Sequence, residues 1–247
     1  MRVFKDIAYK SEDACKLDLY LPDGDGFKTI IYFHGGGLEH GDKSAMGDLS
    51  HDVVKRDFAF VSVNYRMYGH GGKFPDFLED AAAAVAFVKV HIREYGGNGK
   101  IYVGGSSAGA WITLMLCMDK KYLTNVGVDA DTIDGWISDS AQTHSHYNVI
   151  HHERGDDTRL ERVDEYAPIY YLNDDVSFSK ILLLFYEDDI PCRPEENILF
   201  YKNVLRFQPN ADITAVRLHG GHCHGVNARD DDGEYGFVKE FCAWLKH

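Results

Sequence analysis

A serine in a glycine turn, Gly105-Ser106-Ser107-Ala108-Gly109, separates the stretch Lys100-Ile101-Tyr102-Val103-Gly104 from the apolar run Ala110-Trp111-Ile112-Thr113-Leu114-Met115. The pattern G-x-S-x-G alone is weak, because Gly and Ser are common residues. Its flanks give it weight: they read as a buried strand entering and a helix leaving. A turn that sharp projects the Ser107 side chain above the edge of a sheet. The flanking glycines let neighbouring backbone pass close to a strained turn. The shifted frame through Ser106 lacks the second glycine, so Ser107 is the better candidate nucleophile. A turn kept only for packing is the plainer alternative.

Such a unit needs a sheet around it, and the chain supplies one. Strand-like and helix-like segments alternate from about residue 28 onward, which predicts an α/β fold with a mainly parallel sheet. Strands are expected over residues 28–33, 58–64, 100–105, 133–138, 180–186 and 212–218, the run at 180–186 being the most apolar and expected at the centre. Helices are expected over 45–56, 108–119 and 194–207, and in a final segment carrying Phe237, Phe241, Trp244 and Leu245. Pro75 opens another, with Asp76, Glu79 and Asp80 near the positive end of its dipole and Phe77, Ala81, Ala84, Val85, Val88 and Ile92 as its buried stripe. Gly96-Gly97 ends it. Before all this, residues 2–10 and 15–22 read as an antiparallel hairpin. In its second strand Leu17, Leu19 and Leu21 alternate with polar neighbours, as on a half-exposed strand. Residues 141–179 break the rhythm. This polar stretch, rich in His, Tyr, Asp and Arg, is expected to be a lid or substrate-binding insertion within one domain spanning 1–247.

The formal net charge of −13 makes the chain a poor candidate for nucleic acid or an anionic membrane. No apolar run approaches the ~20 residues of a membrane span. Residues 1–10 contain no apolar core of a signal peptide. The five cysteines are scattered, without a C-x-x-C spacing, which points to free thiols and a reducing, cytoplasmic compartment.

A serine nucleophile needs a base, and the base an orienting acid. Downstream of Ser107, Glu187, Asp188 and Asp189 follow one predicted strand, and His219, His222 and His224 lie at or after the last one. Both groups would emerge at the sheet edge that carries the serine. Upstream, His34-Gly35-Gly36-Gly37 directly follows a strand. A glycine run exposes backbone N–H groups without side-chain obstruction, as an oxyanion site requires, and the Ala108 N–H after the serine would add another donor. A metal centre is the competing reading of His219, His222, Cys223 and His224, extended by His144, His146, His151 and His152. No H-E-x-x-H or H-x-H-x-D-H run accompanies them, and the hydrolytic reading already accounts for the loop. No metal and no cofactor is expected.

At this point the residues resemble a known family. His34-Gly35-Gly36-Gly37, then Asn64-Tyr65-Arg66, Phe74-Pro75 and Leu78-Glu79-Asp80, then Gly104-Gly105-Ser106-Ser107-Ala108-Gly109, occur in the order seen in the hormone-sensitive-lipase-like and small acetyl-esterase branch of the α/β-hydrolases. Ala167-Pro168-Ile169 is similar to a segment of that branch that precedes the acid strand. The resemblance covers roughly residues 28–245. It implies an α/β-hydrolase fold with a mostly parallel central sheet, an antiparallel N-terminal hairpin and helices on both faces. It also implies the catalytic set Ser107, Asp189 and His222, with Asp188 and His224 as runners-up, and oxyanion donors from Gly36, Gly37 and Ala108, with Gly35 as the alternative. Two departures stand out: Ser106 occupies a position usually held by Asp, and Tyr186 one usually held by Gly. Pairing of Asp80 with Arg66 follows from the same resemblance. Glu39, His40 and Trp111 flank the glycine loop or follow the elbow and are candidates for contacting substrate; Trp111 and Trp136 are also candidates for the core.

The implied activity is hydrolysis of a small-molecule ester through an acyl-serine. The absence of a long apolar lid favours a short acyl group such as acetyl, and the polar insertion favours a sugar or aromatic glycoside as the alcohol. The rivals are an arylformamidase or other amide hydrolase using the same residues, and a non-catalytic ligand binder of the same fold. Gly37-Leu38, where arylformamidases often carry an aromatic residue, leans towards the ester.

Overall fold

The computed structural model describes residues 1–246. Its eight strands form one sheet: β1 (Arg2–Ala8), β2 (Lys16–Leu21), β3 (Phe27–Phe33), β4 (Phe58–Val63), β5 (Gly97–Ser106), β6 (Gly135–Asp139), β7 (Ile181–Asp188) and β8 (Ile213–Gly221). They lie in the order β1-β2-β4-β3-β5-β6-β7-β8, antiparallel at β1–β2 and β2–β4 and parallel throughout the rest. This is the α/β-hydrolase architecture.

The helices are α1 (Gly47–Val54), α2 (Asp76–His91), α3 (Ala108–Met118), α4 (Lys121–Asn125), α5 (Tyr147–Arg154), α6 (Arg193–Phe207), α7 (His224–Asn227) and α8 (Gly236–Trp244). Alternation along the strands divides the core between the two faces. Ile31 and Phe33 of β3 join Phe77 of α2, Leu114 of α3 and Phe200 of α6, whereas Ile30 and Tyr32 join Leu49 of α1 and Phe237 and Phe241 of α8. The predicted stripe of α2 is buried throughout. After its last residue a 3-10 turn carries the chain to Gly96, which takes φ +103.

Two expectations about the sheet need correction. The β7 strand is the neighbour of edge strand β8, not central, and its apolar run is explained by helices on both faces. The centre is β3 and β5, the strands that lead into the glycine loop and the serine turn. The β2 strand is not half-exposed either: Asp18 is 1% exposed. Its carboxylate is met by Lys43 Nζ at 2.8 Å, reaching down from a 3-10 turn before α1. A buried ion pair thus replaces the solvent that alternation had implied, and β1 becomes the exposed edge.

Candidate active site

Ser107 sits between β5 and α3 with φ +52 and ψ −118, a conformation that costs a non-glycine residue ~1–3 kcal/mol. The turn is held from both sides: Ser107 N–H donates to Asp139 O of β6 at 2.8 Å, and Ser107 O accepts Trp111 N–H, the first bond of α3, at 3.0 Å. Its glycines are there for space. A Cβ on Gly109 would lie 2.0 Å from Phe33 O, and one on Gly105 2.4 Å from the Gly109 carbonyl carbon. Leu38, Ser140, Cys192 and Cys223 also take left-handed φ, so backbone strain collects in the loops around this turn.

Ser107 Oγ lies 2.8 Å from His222 Nε2, and His222 Nδ1 lies 2.5 Å from Asp189 Oδ1. The serine follows β5, the acid β7 and the histidine β8, so three strand ends deliver the row to one edge. The Asp189 side chain is fully buried while the His222 side chain is 27% exposed. Burial raises the Asp189 carboxyl, but the bond and charge of His222 and the Ile190 N–H outweigh it and hold the group below the usual carboxylate range. Nδ1–H is therefore committed to a carboxylate, which leaves Nε2 with a lone pair facing the serine hydroxyl. The row can take a proton from Ser107 as its oxygen attacks.

The alternatives separate in space. Asp188 is exposed at the end of β7. His219 is 95% exposed and pairs with Glu187, and His224 lines a different surface depression together with Asp230 and Asp231. Ser106 is buried. Among the described residues, the grouping of three metal-donor side chains is His144, Glu161 and Glu196, outside the cavity of Ser107.

The glycine loop lies against this row; a Cβ on Gly35 would be 3.2 Å from Ser107 Cβ. Its carbonyls are tied. His34 Nδ1 donates to Gly35 O at 2.7 Å, and Gly36 O accepts Glu39 N–H at 3.0 Å and His40 N–H at 3.1 Å. In a trans peptide the N–H points opposite the carbonyl, so each tie turns the next N–H, of Gly36 and of Gly37, away from these partners. Among the described residues neither they nor Ala108 N–H meets a protein acceptor. His34 is buried and stacked on Tyr65 at 4.7 Å; burial lowers its pKa and keeps the ring neutral.

A cavity of about 450 Å³ opens beside Ser107. Glu39 and His40 line it. Trp111 does not: it is fully buried, donates Nε1–H to Tyr166 O at 2.9 Å and packs edge-on against Phe77. Sequence reading missed Asp42, Met46, Tyr147, Asn148, Ile190 and Asn227 on the walls. Tyr147 and Asn148 come from α5 inside the 141–179 stretch, where only the polar, aromatic composition hinted at them. Burial raises the Asp42 carboxyl, but hydrogen bonds from Ser44 and Asn64 prevail and hold it at about 2. The rim is thus acidic.

Fold and site together define a serine-dependent hydrolase of the α/β-hydrolase class. The chain belongs to the BD-FAE family, whose model matches residues 17–155. A curated relative, kynurenine formamidase avaC of Aspergillus versicolor, is 30% identical over 127 residues, which are 46% of this chain and 44% of that protein. The match therefore spans less than half of that relative. Among solved structures, a truncated carbohydrate esterase from gut microbiota superposes with a TM-score of 0.78 at 18% identity, covering 100% of this chain and 97% of that one. Esterase 2 of Thermogutta terrifontis, phosphoramylated by tabun, gives 0.79 at 20% identity over 98% and 93% of the two chains. At that identity the likeness speaks for the fold. No helix among the described residues is long and apolar enough to cross a membrane.

Proposed function

We propose that the protein hydrolyses short-acyl esters through an acyl-enzyme on Ser107. The observation that carries this reading is the hydrogen-bonded row Ser107–His222–Asp189 opening into a cavity walled by a glycine loop. His222 takes the hydroxyl proton as Ser107 Oγ attacks the ester carbonyl. The N–H groups of Gly36, Gly37 and Ala108 receive the oxyanion, and Asp189 stabilises the imidazolium. His222 then protonates the departing alcohol, and water repeats the sequence on the acyl-serine.

The cavity lies toward the small end of ligand sites, ~300–1,000 Å³. Ala45, Met46 and Ile190 offer a short apolar wall, which suits acetyl or another small acyl group. Glu39 and Asp42 disfavour an anionic substrate, and the neighbouring His40, Tyr147 and Asn227 suit a neutral, hydroxyl-rich alcohol such as a sugar or aromatic glycoside. In this reading residues 141–179 are a substrate-facing lid on a single domain. Free thiols at all five cysteines are compatible with a cytoplasmic enzyme.

The kynurenine formamidase similarity favours a second reading, amide hydrolysis by the same residues. Purified protein is assayed side by side on acetyl, butyryl and decanoyl esters, acetylated sugars and a formanilide. Fast acetyl-ester turnover that falls with chain length and disappears in Ser107→Ala supports the proposal. A kcat/KM for the formanilide above that for every ester transfers the assignment to the amide.

A further inference from the structure

We propose that Asn148 of α5 is a positioning residue for the oxyanion loop, so that the 141–179 excursion sets the rate of the chemical step as well as covering the cavity. The inference rests on the serine-hydrolase reading of Ser107.

The loop holds an uncommon backbone. Gly37 takes φ +66 and Leu38, which carries a full side chain, φ +63. Consecutive left-handed residues persist only where the surroundings over-determine them. Most carbonyls of the loop are tied from within or from neighbouring loops: Gly35 O by His34, Gly36 O by Glu39 and His40, and Leu38 O by Tyr68 N–H at 2.8 Å. Gly37 O is different. Among the described residues its partner is the side chain of Asn148, whose Nδ2–H donates to it at 2.7 Å. One helical turn further along α5, His152 Nε2 meets Glu39 Oε1 at 2.5 Å, and its ring stacks on Tyr68 at 3.9 Å. Residues one turn apart share a helix face, so α5 grips the loop at both Gly37 and Glu39.

Without the Asn148 bond the Gly37–Leu38 peptide can rotate. That rotation relaxes the left-handed Gly37 and Leu38 and displaces Glu39 and His40, whose N–H groups hold the Gly36 carbonyl and so aim the N–H of Gly37, a proposed oxyanion donor. The penalty falls on the charge that develops in the transition state. It is therefore expected in kcat and in equal proportion for different acyl groups.

The test uses the full chain with Asn148→Ala and Asn148→Asp; the second keeps the shape but sets an oxygen against the Gly37 carbonyl. Steady-state kinetics on acetyl and butyryl esters are measured alongside the rate at which a fluorophosphonate labels Ser107, because the phosphoryl oxygen occupies the same donor site. Asn148→Ala should lower kcat about tenfold, the kinetic weight of one hydrogen bond, with KM within about twofold and the same factor for both esters. Labelling should slow in parallel, and Asn148→Asp should be slower still. Unchanged kcat and labelling would overturn the proposal. A loss confined to KM and differing between esters would also overturn it, making Asn148 a substrate contact instead. Should Asn148→Ala not fold, the isosteric Asn148→Asp carries the comparison. Should the wild type turn over no ester, the labelling ratio still decides this inference while the ester reading fails separately.

Discussion

Asp80 ties three segments together, and replacing it with asparagine measures what the tie contributes. The residue lies on α2 and is fully buried. Its two oxygens accept hydrogen bonds from Arg66 N–H at 3.0 Å, Arg66 Nε at 2.8 Å, Arg66 Nη2 at 2.7 Å and Lys10 Nζ at 2.6 Å. Arg66 follows β4, and Lys10 lies in the turn between β1 and β2. Asparagine keeps the outline and one acceptor oxygen but loses the charge. Removing one partner of a buried ion pair costs ~3–5 kcal/mol. Arg66 and Lys10 keep side-chain exposures of 23% and 25%, so they recover part of their hydration. The lower figure therefore applies, about 3 kcal/mol, or a fall in Tm of about 6–12 °C for a chain of this size.

The pH dependence gives a second signature. Burial raises the Asp80 carboxyl, but the Arg66 and Lys10 bonds dominate and depress it below the usual range. A depressed native pKa gives stability that is complete above the unfolded value of about 3.9 and is lost as pH falls through the native value. The gap between wild type and Asp80→Asn should stay constant from pH 8 to about pH 5 and close below about pH 4. Urea unfolding midpoints across that range check it. A Tm within about 1 °C of wild type at pH 7, or a gap that ignores acid, would refute the reasoning.

Asp189→Asn should lower kcat by about 10⁴, by loss of imidazolium stabilisation and of the tautomer, whereas exposed Asp188→Asn should stay within about twofold of wild type in the same ester assay. Asp139 is fully buried, and burial, with the charge of Asp189, raises its pKa to about 7. The unfolded chain releases that proton near 3.9, so wild-type stability should fall as pH rises from about 4 to about 7, by about 4 kcal/mol at most, and then level off. Asp139→Asn should remove that slope in denaturant titrations at pH 5 and pH 8; parallel midpoints for the two proteins would contradict it. Gly36→Ala should abolish activity, because its Cβ would lie 1.8 Å from His40 O at φ +114, and ester turnover reads the loss.

The elements bearing the proposed chemistry were legible because their constraints are local. A sharp turn needs its glycines at Gly105 and Gly109, an exposed backbone loop needs Gly35-Gly36-Gly37, and the order of serine, acid and base follows the order of the strands. Family resemblance sharpened Asp189 over Asp188 and His222 over His224; the geometry separates each pair by what surrounds it. What escaped depended on neighbours that a sequence does not display. Alternation in β2 could not reveal that Lys43 would cover Asp18, and the apolarity of β7 records helices on both faces, not a central place. Trp111 reads as a site residue by proximity to the elbow, but helical geometry turns it toward Phe77. Tyr147 and Asn148 lie in a segment without apolar periodicity, so nothing local marked them as part of the cavity wall.

The most direct measurement is the capture of the acyl intermediate. Protein mixed with an activated acetyl ester is quenched in acid within the first turnovers, digested and mapped by tandem mass spectrometry. The account predicts one acetyl group per chain, on the side chain of Ser107, and none in Ser107→Ala. Ester turnover that proceeds with residue 107 unmodified, or survives its replacement by alanine, would contradict it.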